Sequence, residues 1–177
     1  MLNLFRKPQP AEPLDISADV EIDRCVDTVF DLIDFESPNF MLLARGYGIV
    51  EHDREARVIT FSDPHFPDMH HQFSIMAHVP GEELHYISRT ICDAPCGLLN
   101  WVRTEVTLTA LESDRCRATY SDLVHFQPFK SKRLMAEHYA LYTRAMYDAM
   151  MKIKIQAEDG AEAVIALEKE MGEAPDT

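Results

Sequence analysis

Two residues combine the chemical type and the setting needed for proton transfer. Across 115–126 (RCRATYSDLVHF), Ala118, Tyr120, Val124 and Phe126 recur at every second position, and Asp122 stands in the same row. Strand alternation sends that row to one face, which puts a carboxyl group among apolar neighbours. Removing a carboxylate from water is unfavourable unless it is paired or hydrogen-bonded. Asp122 is therefore either a pocket acid with a raised pKa or a structural hydrogen-bonding group. His138 falls in the row Leu134, His138, Leu141 and Ala145, one turn from Tyr142. Imidazole exchanges its proton near neutral pH, so if that row faces inward His138 is either a satisfied core residue or a proton carrier.

Groups that could hold a ligand's polar end lie in two other segments. In 83–91 the faces are mixed, with Tyr86 and Ser88 on one side and His85 and Arg89 on the other. A guanidinium grips a carboxylate or phenolate bidentately, which makes Arg89 a candidate binding residue, the alternative being a solvated cross-strand partner. The richest polar run is 63–71 (DPHFPDMHH). Its His65, Asp68, His70 and His71 are ordinary zinc-ligand types, but the spacing fits no zinc motif. His70 and His71 also point to opposite faces if they begin a strand. His71 is kept as a candidate ligand-binding residue, and neither a metal nor a cofactor is expected. Cys25, Cys92, Cys96 and Cys116 are too few and scattered for a disulfide framework and read as reduced thiols. The Cys92 and Cys96 pair, bracketing Pro95, leaves a redox or metal role open.

These side chains need elements to position them. Ile16, Ala18, Val20 and Ile22 alternate with Ser17, Asp19, Glu21 and Asp23, which predicts a half-buried strand. From Cys25 to Phe35 the period changes, with Val26, Val29, Phe30 and Ile33 at helical steps and Asp27 where the helix dipole favours it. Asn39 to Ala44 has room for one more turn. Strand-like runs then follow at 47–52, 58–63, 70–79, 83–91, 101–112 and 115–126, joined by short turns that predict an antiparallel meander. In 101–112 the row Val102, Thr104, Val106, Leu108 and Ala110 turns Arg103 and Glu105 to water. Between Ser131 and Asp159 there is no Pro or Gly, and Met135, Tyr139, Tyr142, Met146, Met150 and Ile153 recur at three- and four-residue steps. That predicts a helix of about 28 residues, roughly 42 Å long. Residues 161–171 can add a helical turn or two before an acidic end.

Composition narrows the class of partner. The chain of 177 residues carries 17 Lys plus Arg against 30 Asp plus Glu, a net charge of −13, so nucleic acid is a poor partner. No apolar run approaches the ~20 residues of a membrane span, and the first residues do not read as a secretory signal. A cytoplasmic protein without stable membrane insertion is expected. The oligomeric state stays open.

The order of strand, one or two short helices, six antiparallel strands and a long carboxy-terminal helix resembles the START-like, or SRPBCC, superfamily over about Asp15 to Asp159. Three local matches carry the resemblance: the run Ile16 to Asp23 leading into Val29 to Phe35, the hairpin 101–112 and 115–126, and the wide-faced final helix. The resemblance implies an α+β helix-grip fold, a curved antiparallel sheet of about seven strands wrapped around the long helix. It divides the chain into a lead-in at 1–14, a ligand-binding domain at 15–160 and an acidic tail at 161–177. It also implies a cavity between sheet and helix for a hydrophobic small molecule such as a lipid, quinone, sterol or polyketide. The candidate binding residues are then His71, Tyr86, Arg89, Tyr120, Met135, Tyr139, Tyr142 and Met146, because Met adapts to irregular space and Tyr adds a polar tip. Asp122 and His138 are the candidate acid and base if the cavity serves a polyketide cyclase or dehydratase. A protein-interaction domain using the same groove for an apolar helix or peptide is the third reading.

Overall fold

Every alternating run forms a strand and every run of three- and four-residue spacing forms a helix in the computed structural model, which describes residues 12–92 and 97–171. The order is β1 (Leu14–Ile22), α1 (Val26–Ile33), α2 (Met41–Ala44), β2 (Gly48–Asp53), β3 (Val58–Ser62), β4 (Met69–Val79), β5 (Glu83–Cys92), β6 (Leu99–Glu112), β7 (Arg115–Phe126), α3 (Lys132–Asp159) and α4 (Ala161–Glu170). The seven strands make one antiparallel sheet in the order β1-β7-β6-β5-β4-β3-β2. This is the helix-grip fold. Sequence neighbours pair along the meander, and only β1 crosses to the far edge to meet β7.

The register fixes which side chains share the inner face. One cross-strand row reads Tyr86, Thr104, Asp122 and Ile16, and the next reads Leu84, Val106, Tyr120 and Ala18. Val106, Ala118, Tyr120 and Leu84 are buried there with Val29, Phe30 and Ile33 of α1 and Met146, Met150 and Ile153 of α3. Helix α3 starts at Ser131, whose hydroxyl accepts the Leu134 N–H at 3.1 Å, a side-chain cap for an otherwise free donor.

Two expectations change. The row Leu134, His138, Leu141 and Ala145 does not face the sheet as a unit, and Leu141 is 65% exposed. At 3.6 residues per turn Leu141 stands about 140° around α3 from Met146, which is on the buried face. The reading of four reduced thiols also fails, because Cys92 at the end of β5 is disulfide-bonded. Cys25 and Cys116 are free, and Cys96 lies outside the described residues. Among the described residues no helix is long and apolar enough to cross a membrane.

Candidate functional site

A cavity of about 510 Å³ lies between the inner face of the sheet and α3. The sheet contributes Phe73, Tyr86, Ser88, Thr104, Val106, Tyr120 and Asp122. The segment of α1 and α2 adds Ile33, Phe35, Phe40, Met41, Leu42 and Arg45, and α3 closes the space with residues from Tyr142 to Ile153. Much of the wall is aromatic. Phe35 stands edge-on to Phe40 and Tyr86, with ring centres 5.1 and 4.9 Å away, and lies 4.6 Å from Phe73. Such a lining offers large apolar area with little conformational entropy to lose.

The polar groups gather around Asp122. Its Oδ2 accepts a hydrogen bond from the Tyr142 hydroxyl at 2.9 Å, while Oδ1 is buried with no hydrogen-bond partner. Asp122 is 5% exposed, and burial pushes its carboxyl above the ordinary range, an effect that hydrogen bonds from Thr104 and Tyr142 only partly offset. Burial also raises the phenols of Tyr86, Tyr120 and Tyr142, with the Asp122 charge adding to each. The Tyr120 hydroxyl, like Asp122 Oδ1, is buried without a hydrogen-bond partner. Both residues line the cavity, and a buried donor or acceptor without a partner is costly, so each is a group that a polar atom brought against it would satisfy.

Of the residues singled out from the sequence, the structure brings Tyr86, Tyr120, Asp122, Tyr142 and Met146 to this cavity. The other five lie off it. Arg89 is exposed on the other face of β5. His71 pairs with Asp63 at 3.2 Å. Burial would raise Asp63, but hydrogen bonds from the His65 and Phe66 N–H groups and from His71 outweigh it and hold the carboxyl below its usual value. That run is a turn closed by a carboxylate, and among the described residues no group of three or more His, Cys, Asp or Glu could hold a metal. His138 packs against Phe126 and Phe129, with ring centres 6.3 and 5.6 Å away. Tyr139 stacks on Phe126 and donates to the Glu12 carbonyl, in the amino-terminal part of α3 with Met135.

Sequence reasoning missed the charged rim. Arg45, just after α2, and Lys152 of α3 both line the cavity and share the carboxylate of Glu168 on α4. Arg45 binds it through two nitrogens, Nε reaching Oε2 at 3.2 Å, and Lys152 Nζ lies 3.0 Å from Oε1. Glu168 is 4% exposed. The sequence held one signal for this, since Lys152 continues the row Ala145 and Ala149 along the flank of α3.

No protein-family model matches the sequence, and no curated protein matches it either. Similarity is found among solved structures. A protein from Arthrobacter aurescens is 18% identical, with a TM-score of 0.58 over 84% of this chain and 89% of that one. A START superfamily protein from Mycobacterium smegmatis is 11% identical, with a TM-score of 0.54 over 80% and 97%. Ara h 8.0201 is 10% identical, with a TM-score of 0.57 over 82% and 98%. With element order, sheet topology and the grip on α3 all in agreement, the chain has the helix-grip fold, shared with these solved structures.

Proposed function

We propose that this protein binds a hydrophobic small molecule, of the lipid, quinone, sterol or polyketide kind, between the sheet and α3. The observation that carries the reading is an aromatic cavity of about 510 Å³ whose lining includes Asp122 and Tyr120, each with a buried side-chain oxygen that has no hydrogen-bond partner. Small-molecule sites have this composition, a mostly apolar lining with a few polar groups that set orientation. The START superfamily likeness supports it as a fold used by that class of protein. Native mass spectrometry with denaturing extraction tests it. An organic molecule that leaves on denaturation is expected, or saturable uptake from a panel of lipids, quinones and polyketides. An apo mass unchanged by saturating amounts of the whole panel overturns the reading.

A second reading, an enzyme of the cyclase or dehydratase kind, is favoured by one observation. Asp122 lines the cavity and keeps its proton to higher pH than an ordinary carboxyl, and its Oδ1 is buried without a hydrogen-bond partner. It is placed to donate that proton to a carbonyl or a departing hydroxyl. His138 lies off the cavity, so the proton step rests on Asp122 with Tyr142. Turnover that survives Asp122→Asn with an unchanged pH profile removes this mechanism.

A further inference from the structure

Helix α3 turns a face to solvent that is nearly without charge. Met146, Met150, Ile153 and Ala157 hold its other side in the core. Among the exposed positions of α3 from 136 to 151 only Glu137 and Arg144 are charged. Leu141, Tyr147 and Met151 stand there 65%, 48% and 45% exposed. The solvent side of a helix is ordinarily its charged side, and 27% of this chain's residues are charged, so the depletion is particular to this face.

The centre of that face is spaced for a partner helix. Glu137, Leu141, Arg144, Asp148, Met151 and Ile155 follow one another by four, three, four, three and four residues. That alternation is the seam of a two-stranded coiled coil. At 3.6 residues per turn it runs opposite the buried Met146 and Met150. The seam is also self-complementary. About a two-fold axis level with residue 146, an antiparallel copy sets Leu141 against the partner's Met151 and Arg144 against the partner's Asp148, each layer occurring twice. Tyr147 comes beside its own symmetry mate at the axis. A parallel copy would instead set Arg144 against Arg144 and Asp148 against Asp148, with like charges opposed. In the single chain Arg144 and Asp148 already meet along the helix at 3.6 Å, as an exposed pair that contributes little. In the antiparallel pair each Asp148 lies between two guanidinium groups, one from each copy.

We propose that this protein forms a two-fold dimer by pairing α3 antiparallel with α3 of a second copy. The seam from Glu137 to Ile155 is about 27 Å long, a contact at the small end of specific interfaces, so the dimer exchanges with monomer. Asp148 also lines the cavity, which puts the interface at the border of the proposed ligand site. The pairing does not depend on that site being filled.

Sedimentation equilibrium of the full chain, from about 1 μM to about 500 μM, tests this. The average mass is expected to rise from 20.3 kDa toward twice that value, with a dissociation constant of about 10–100 μM. Leu141→Glu changes an exposed side chain, so its circular dichroism spectrum should stay native while association weakens at least about tenfold. Arg144→Asp alone, or Asp148→Arg alone, opposes like charges in both central layers and is expected to weaken association about tenfold. The two together exchange the charges within the seam and are expected to restore it to within about threefold. A chain that stays at 20.3 kDa throughout overturns the proposal, and binding of a different protein that needs Leu141 would then assign the face to that partner. A dimer indifferent to Leu141→Glu overturns it in favour of another surface, such as the edge strand β2 with its exposed Ile49 and Val50. Single reversals that leave the dimer intact, or a double variant that fails to recover it, overturn the antiparallel pairing.

Discussion

Asp122 is the residue on which the polar half of the site turns, and its burial has a thermodynamic signature. Its folded pKa stands above the ordinary 3.8, so the folded state binds the proton more tightly than the unfolded chain does. The stability this contributes is fully present below about 3.8 and is lost as pH rises through the folded value, where a charge must be buried. Asp122→Asn keeps the shape and removes the titration. Its melting temperature relative to the native chain is expected to climb between pH 4 and pH 8, by about 1.4 kcal/mol of stability for each tenfold difference in proton affinity between the folded and unfolded chain. A difference that stays flat with pH, measured by scanning calorimetry, contradicts the account of Asp122. The place of Asp122 and Tyr120 on the inner face was readable from alternation alone, because a strand allows two directions and the apolar neighbours choose one, whereas the mixed faces of 83–91 left Tyr86 and Arg89 undecided. Arg45, Lys152 and Glu168 were not readable. They come from a turn after a four-residue helix, the flank of α3 and a segment read as a tail, and only tertiary packing brings them together.

At the scale of elements, α4 and the link that aims it set Glu168 against the cavity-lining Arg45 and Lys152. Gly160 joins α3 to α4 with φ 92° and ψ 170°, a backbone region that residues with a Cβ rarely adopt. A Cβ there would meet nothing within 4 Å, so Gly160→Ala is a test of backbone strain alone. It is expected to destabilise by about 1–3 kcal/mol in urea unfolding. Val164 of α4 is fully buried. Loss of its two methyl groups in Val164→Ala is expected to cost about 2 kcal/mol and lower the melting temperature by about 4–8 °C. An α4 that is a loose appendage would show neither effect. The strands and α3 were legible because period two and steps of three and four persist over many residues. The burial of α4 was not legible, since its short apolar run 163–167 is flanked by Glu162, Glu168, Lys169 and Glu170 and reads as a tail until Arg45 and Lys152 are seen against Glu168.

For the whole molecule, the fold is a sheet wrapped on one helix, and the space left between them is the proposed ligand site. The opening residues of α3 lie beyond it, which is why Met135, His138 and Tyr139, though on or beside the apolar stripe, pack near Phe126 and Phe129 or stand clear of the cavity. The central claim, that the cavity takes an apolar molecule, is tested most directly by titrating N-phenyl-1-naphthylamine into the native chain and into Ser88→Trp. Ser88 lines the cavity from the middle of the sheet, where an indole suits a strand and occupies the space the dye would take. Saturable one-to-one binding by the native chain, lost in a Ser88→Trp protein with an unchanged circular dichroism spectrum, is the expected result; no saturable binding, or equal binding by both proteins, contradicts it.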